Sequence, residues 1–429
     1  MEIEIKRLGI NGEGVGDVDS KVCFVEGGVP GDVVDATISE SKSRFLRAKI
    51  NSIVKASPDR INPQCPYFDK CGGCDIQHIS SSMQLQFKSQ KVADSLHKIA
   101  HIDMNISKVI HINDYEYRNK MVFPISINNG HIIIGMYETN SHRIVEIEKC
   151  LIANPLINDT LNIFRNYCNK VKDNLDNFKY LVVRTNGKDI LVTIVSSVRV
   201  DLKDLYEDLK SNFTRCGVSN LVSNSDIEIL DGKYYYEYGI EALDFNWKDI
   251  SYSVNNLGFL QVNDVVKDKL YQLVESIIEQ DSNVVDAYCG AGLMTAICAQ
   301  KAKYVVGLEI NKSAIESARR LAKDNGVTNV QFIRCDVKDE IAKYLRKYSC
   351  VTLILDPPRA GCDLAVLNSI LDSNSVKKII YISCDPATLA RDLEVLKAKY
   401  QIISVQPLDM FPQTKHVESV CTLERDKDE

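Results

Sequence analysis

The sequence has no run of about 18 apolar residues, the length a helix needs to cross the hydrocarbon core of a bilayer. Its first residues, Met1-Glu2-Ile3-Glu4, are acidic and lack the apolar stretch of a secretory signal, so a cytoplasmic location is expected. An excess of basic charge is also missing: 52 Lys and Arg face 58 Asp and Glu, for a net charge of -6. Bulk charge therefore provides no pull toward nucleic acid, and any contact with RNA phosphates must come from local basic patches. No bias toward disorder is present. Hydrophobic residues make up 45% and charged residues 26% of the 429, an ordinary globular balance, and the length allows about three domains of about 150 residues each.

Cysteine, by contrast, is plentiful, with 14 residues. Without an export signal these are expected to be thiols or ligands, not disulfides. Cys168, Cys216 and Cys298 lie in apolar segments and read as small buried hydrophobes. The stretch Cys65-Pro66-Tyr67-Phe68-Asp69-Lys70-Cys71-Gly72-Gly73-Cys74 is different, because it places three cysteines in one short loop, and Cys150 is the candidate fourth member. Four thiolates suit zinc or an iron–sulfur cluster. Gly72 and Gly73 leave backbone N–H groups free to bond cluster sulfurs. The spacing C-x5-C-x2-C departs from the C-x3-C-x2-C of radical-SAM enzymes, so a structural role is expected.

Residues 1–60 read as short strands separated by turn signals at Gly12-Glu13-Gly14 and Pro30-Gly31-Asp32, which suggests a small β-barrel. Within it, Lys42, Arg44, Arg47 and Lys49 flank Phe45, either as a solvated edge strand or as a strand that meets phosphates. Residues 61–255 hold the cysteine loop, then a helix with Met83, Leu85, Phe87, Val92, Leu96 and Ile99 on its apolar face, then an α+β region to which the sequence assigns no chemistry. Residues 256–429 become regular α/β. Strands over 284–286, 304–308, 330–333, 351–355 and 379–382 alternate with helices, which predicts a doubly wound parallel sheet with ligands at the carboxyl ends of its strands.

The motifs fall at those ends. Asp286-Ala287-Tyr288-Cys289-Gly290-Ala291-Gly292 closes the first strand of the sheet, and Glu309 closes the next, where a carboxylate can hold ribose hydroxyls. A dinucleotide loop would need a third glycine where Thr295 stands, and Asp286 would sit badly beside a diphosphate. An acidic loop suits the cationic S-adenosylmethionine, and Cys335-Asp336 fits its adenine edge. Further on, Ser383-Cys384-Asp385-Pro386 ends a strand and opens a helix, with Asp385 as cap and Pro386 in the first turn. A cysteine at a helix N-terminus is expected to ionise more easily than a free thiol. Asp409 to Glu418 then enters the last strand, so Glu418 can face the same cleft.

Two resemblances follow. Gly12 to Gly16, Val29-Pro30-Gly31-Asp32 and Ser57-Pro58-Asp59-Arg60 resemble a TRAM domain, a small RNA-binding barrel. Phe259-Leu260-Gln261-Val262-Asn263, the loop from Asp286 to Gly292, Asp356-Pro357-Pro358-Arg359, Ser383-Cys384 and Asp409 to Glu418 together resemble the RNA uracil-5-methyltransferase family. That likeness implies a class I S-adenosylmethionine-dependent methyltransferase fold in which Cys384 is the nucleophile and Glu418 the base. Gln261, Tyr288, Glu309, Asp336 and Asp356 would surround the cofactor, and Asp356 would also touch the uracil. In the TRAM-bearing branch the four cysteines, Cys65, Cys71, Cys74 and Cys150, imply a [4Fe–4S] cluster. The implied partner is structured RNA, 23S ribosomal RNA ahead of transfer RNA, and the implied product 5-methyluridine made by a monomer. One residue departs from the family pattern: Asp385 stands where Asn is usual, which keeps the cap but adds negative charge beside the thiol. Cytosine-5 methylation would need a differently placed cysteine, and amino-directed methylation an aromatic residue at Arg359. An inactive RNA-binding assembly factor would not need both Cys384 and Glu418.

Overall fold

The computed structural model describes residues 1–128, 131–171, 175–225 and 228–426. At the N-terminus, six strands form one sheet. The segment that supplies Glu2–Glu4 and Arg7–Leu8 pairs first with Val33–Ser41 and then with Gly14–Val18, with Lys6 N donating to Val15 O at 2.8 Å between them. One stretch of chain thus closes the ring. Closure is tight at Gly16, where a Cβ would lie 2.5 Å from Glu4 O. Ile3, Ile5, Cys23, Val25 and Val34 fill the interior. The basic segment is not an edge: Phe45–Lys55 lies between Val33–Ser41 and Lys21–Glu26. Arg47 and Lys49 point to solvent on one face. Arg47 lies over the rings of Phe24 and Phe45, and Glu40 pairs with Lys42 at 2.9 Å and with Arg47 at 3.4 Å.

The cysteine loop leads into helix α1 (Ser81–Ala100), whose N-terminus is capped by Ser80 Oγ accepting from Met83 N at 3.2 Å. Phe87, Val92 and Leu96 are buried as the periodicity requires, but Ile99 is 38% exposed, while Gln84 and Lys88 are buried at 2% and 0%. The apolar end of α1 packs into the core of the C-terminal sheet, Val92 and Leu96 sharing a cluster with Leu389 and Leu393. Next comes a seven-stranded sheet with helices Pro155–Lys170 and Lys203–Lys210 over a core that includes Phe123, Phe164 and Leu181.

The C-terminal sheet contains β1 (Asn283–Ala287), β2 (Tyr304–Glu309), β3 (Val330–Arg334), β4 (Val351–Leu355), β5 (Val376–Ser383), β6 (Tyr400–Leu408) and β7 (Glu418–Arg425). Their order is β3-β2-β1-β4-β5-β7-β6. The first five are parallel, and β7 runs antiparallel between β5 and β6. Apolar clusters cover both faces, which is why these strands are continuous hydrophobic runs. No described helix is long and apolar enough to cross a membrane.

Asp32 ties the barrel to the chain that leaves it. Fully buried, its carboxylate accepts from Val29 N at 2.7 Å, Ser57 N at 2.8 Å and the Arg60 guanidinium. Burial opposes its charge, but these donors outweigh burial and hold the carboxyl below the usual range. Its stabilisation is therefore complete above the unfolded carboxylate pKa and is lost as pH falls through the depressed folded value. Asp32→Asn should cost about 3 kcal/mol near neutral pH, and the gap to wild type should narrow in acid. Urea unfolding of both proteins at several pH values measures this, and a gap that stays constant with pH would contradict it.

Candidate active site

Strand β5 ends at Ser383, and the helix α2 (Pro386–Leu396) begins after Cys384 and Asp385. Asp385 Oδ1 accepts from Ala387 N at 2.9 Å and Thr388 N at 3.0 Å, the cap the sequence predicts. Cys384 is half-buried at this turn. Its thiol does not become more acidic, as helix placement alone would suggest. Burial pushes its pKa up, the Glu418 and Asp356 carboxylates add to the rise, and the Arg359 guanidinium opposes them by charge and by a hydrogen bond. Arg359, noted in the sequence only as a non-aromatic residue after Asp-Pro-Pro, is thus the cation beside the thiol.

Glu418 is the first residue of β7 and is 3% exposed. Burial, then Asp356, pushes its carboxyl up to about 8, with Arg359 pulling the other way. Asp356 follows β4. It is open to solvent through the cleft yet ringed by enough protein to push its carboxyl up to about 7. Asp286, at 1% exposure on β1, also reaches about 7 because of burial, although Thr295 Oγ1 donates to it at 2.5 Å. Asp356 and Glu309 add negative charge around it. The Arg359 guanidinium also reaches His416 Nδ1 at 3.1 Å. Burial, then Arg359, drives that imidazole down to about 4, so it is neutral and Nδ1 is the acceptor.

The loop after β1 is shaped for close approach by a ligand. Tyr288 and Gly292 adopt left-handed φ angles of 66° and 80°. At Gly292 a Cβ would lie 2.6 Å from Ala318, so glycine is required there, whereas open space lies over Gly290. Glu309 accepts from Gly290 N at 3.1 Å and Asn311 N at 2.7 Å, which joins the ends of β1 and β2. Asp336 caps Val337–Lys347 and pairs with Lys338 at 3.0 Å, and that lysine holds its carboxyl below the usual range. Gln261 is anchored by its carbonyl, which accepts from Asn119 Nδ2 at 3.1 Å.

A cavity of about 600 Å³ runs beside this cleft. Cys65, Cys71, Cys74 and Cys150 line one part of it, and Arg359, Lys415 and His416 another. All four cysteines are free thiols. Gly73 N donates to Cys71 Sγ at 3.4 Å. Burial pushes Cys74 up to about 12 and Cys150 to about 11. Among the described residues, no group of three or more His, Cys, Asp or Glu side chains is arranged to hold a metal ion.

Residues 80–426 match the model of the tRNA (uracil-5-)-methyltransferase family, and residues 1–50 match that of the TRAM domain. The chain is 35% identical to an uncharacterized RNA methyltransferase of Caldanaerobacter subterraneus subsp. tengcongensis, over 99% of this chain and 98% of that one. It is 34% identical to one from Listeria innocua, over 99% and 97%. Among solved structures it is similar to the Pyrococcus abyssi tRNA (uracil-54, C5)-methyltransferase in complex with S-adenosyl-L-homocysteine, with a TM-score of 0.77 and 25% identity, over 99% of this chain and 100% of that one.

Because Arg359 counters the three influences that raise the Cys384 pKa, Arg359→Met should move the thiol's ionisation to higher pH. Site-resolved alkylation of Cys384 across a pH series would then have its midpoint displaced upward, with a several-fold slower rate near pH 8. An unmoved midpoint would remove Arg359 from thiol control.

Proposed function

For a chain that belongs to the tRNA (uracil-5-)-methyltransferase family and bears a TRAM domain, we propose methylation of carbon 5 of a uridine in structured RNA through a covalent Cys384 adduct. The observation that supports this most is the meeting of Cys384, Glu418, Asp356 and Arg359 in one cleft. Uracil carbon 5 is a poor nucleophile. Addition of Cys384 Sγ to carbon 6 places the electron pair of the 5,6 double bond on carbon 5 and the oxygen conjugated with it. S-adenosylmethionine, when bound, supplies an electrophilic methyl group. Glu418 then takes the proton left on carbon 5, and the electrons of that C–H bond restore the double bond as Sγ departs. Arg359 lowers the cost of the thiolate at the start and at the end. Asp356, in its protonated form, can donate to a uracil oxygen and favour charge there.

Asp286, Glu309, Asp336, Tyr288 and Gln261 are the proposed cofactor wall. Asp286 and Glu309 make the cleft negative, which favours a sulfonium and an ammonium over a diphosphate. Residues 1–60 are assigned to RNA binding, residues 61–255 to the cysteine loop and central sheet, and residues 256–429 to chemistry. The combination of a TRAM barrel with a four-cysteine loop favours 23S ribosomal RNA as target. Transfer RNA is the second reading, because the similar Pyrococcus abyssi enzyme is a tRNA methyltransferase.

The four cysteines are proposed to hold a [4Fe–4S] cluster. The donor chemistry fits: the four thiols line one cavity, with a backbone N–H already directed at one sulfur. Four thiolates also suit zinc; the resemblance to the TRAM-bearing branch of the family favours the cluster. Protein purified without oxygen should be brown and contain iron and sulfide in equal amounts. Stoichiometric zinc with neither would overturn the assignment.

Cys384→Ala should abolish both methylation and covalent attachment to RNA. Glu418→Gln should still add the thiol and accept the methyl group, then stall, so that a methyl-labelled protein–RNA adduct survives denaturing electrophoresis. Loss of turnover in Glu418→Gln without that adduct, in protein that still binds RNA, would demote Glu418 from base. The target is tested by mapping 5-methyluridine in cells lacking the gene: loss from 23S ribosomal RNA is expected, and loss from transfer RNA alone would replace that target.

A further inference from the structure

The segment that delivers Glu418 is held in place by residues far from it in sequence. Between Asp409 and His416 the chain has no regular secondary structure, yet Asp409 and Gln413 are 1% and 3% exposed. Gln413 adopts a left-handed φ of 67°, an uncommon conformation for a residue with a Cβ that persists only where surrounding contacts impose it. Those contacts come largely from α1. Residues 84, 88 and 91 fall on one stripe of that helix, at spacings of four and three. Lys88, fully buried, pairs through Nζ with Asp409 and donates to Phe411 O at 3.0 Å. Gln84 Nε2 donates to Gln413 Oε1 at 3.0 Å, and Gln84 Oε1 accepts from Gln413 N at 3.3 Å. Lys91 Nζ donates to Lys415 O at 3.0 Å.

Other contacts complete the hold. Asp75 N and Ile76 N, just beyond Cys74, donate to Gln413 O at 3.0 and 3.2 Å. Tyr117 Oη donates to Pro412 O at 3.0 Å. His111 Nδ1 lies 3.1 Å from the second oxygen of Asp409. A buried Lys88 ammonium and Asp409 carboxylate would each be costly alone, so each fixes the other. The pair lies where the chain leaves β6 and turns toward β7, nine residues before the carboxylate it delivers.

We propose that Lys88 and Gln84 are positioning residues for Glu418: α1 sets the path of Asp409–His416 and thereby the placement of the carboxyl at the start of β7 against Arg359 and Asp356. This rests on the reading of Glu418 as the base. It also gives α1 a part in the chemistry, although the helix precedes the central sheet and lies outside the segment assigned to catalysis.

The test uses the full chain. Lys88→Met keeps the length of the side chain and removes the charge. Turnover should fall by about tenfold or more, with KM for RNA within about twofold, since a small misplacement of a reacting group acts on kcat. The distinguishing readout is the adduct. Addition and methyl acceptance do not require Glu418, so Lys88→Met should accumulate methyl-labelled, denaturation-resistant protein–RNA complex, as Glu418→Gln does. A merely structural defect would lower the active fraction and leave no such complex. Gln84→Leu, which strands no buried charge, should give the same effect more weakly, and it decides the matter if Lys88→Met does not fold. If Glu418→Gln traps adduct while the folded α1 variants turn over at the wild-type rate or lose activity without adduct, the positioning role is overturned and the base remains. If Glu418→Gln itself traps nothing, the base assignment fails and the positioning role with it.

Discussion

Carboxylates crowded at the ends of a single sheet set the terms for the rest of the site. Asp286 on β1, Glu309 on β2, Asp356 after β4 and Glu418 on β7 surround one cleft; burial raises Asp286, Asp356 and Glu418, and like charge adds to the rise at Asp286 and Glu418. At an effective dielectric constant of about 20, two charges 4 Å apart repel by about 4 kcal/mol. These carboxyls respond by keeping protons that ordinary carboxyls would have lost. Because these folded pKa values are raised, the native state binds more protons than the unfolded chain between the ordinary carboxyl range and about 7 to 8. Stability therefore falls as pH rises through that window. A ligand carrying positive charge relieves the same strain, so the cleft is preset for a cation before any contact is made.

Arg359 turns this crowding into chemistry. It is near Glu418 and bonds both Cys384 and the neutral ring of His416, so its charge opposes proton retention at the proposed nucleophile and the proposed base together. A single guanidinium can do this because its donors form a rigid fork that reaches several partners and its charge does not titrate. The thiol remains less acidic than a free cysteine even so. A thiol held in its protonated form resists adventitious oxidation and alkylation, which follow thiolate character.

Much of the fold is legible in the sequence because the C-terminal strands are buried on both faces and read as apolar runs with glycine and acidic residues at their ends. The barrel is legible from its turns. The proposed nucleophile is marked by Ser-Cys-Asp-Pro, whose cap and proline have a local physical meaning, and Asp385 caps as expected. What stays hidden depends on contacts across the chain. Lys88 looks like one more solvated lysine on an amphipathic helix, since nothing within α1 says that Asp409 will meet it. Ile99 looks like core and is exposed, because Leu96 and Ala100 take the buried face of the last turn and leave Ile99 on the other side. The basic segment around Phe45 looks like an edge and is interior, since its neighbours Val33–Ser41 and Lys21–Glu26 are chosen by barrel closure. The Cys384 pKa is read wrongly from the helix alone because burial raises it and the carboxylates that add to the rise come from other strands.

The pairing of Lys88 with Asp409 spans 321 residues, and that distance is also a span of time. A ribosome adding roughly 5 to 20 residues per second needs from about a quarter of a minute to about a minute to travel from one partner to the other. The N-terminal barrel has all its strands from the start of that interval, and the central sheet gains the last of its own at Gly239, but until Asp409 follows the lysine of α1 has no acid to bury against and α1 lacks the full sheet on which to lay Val92 and Leu96. The helix must stay hydrated and undocked until the last strands emerge. The newborn chain can therefore possess its TRAM barrel long before it possesses a finished cleft, and the proposed base is among the last groups to reach its working position.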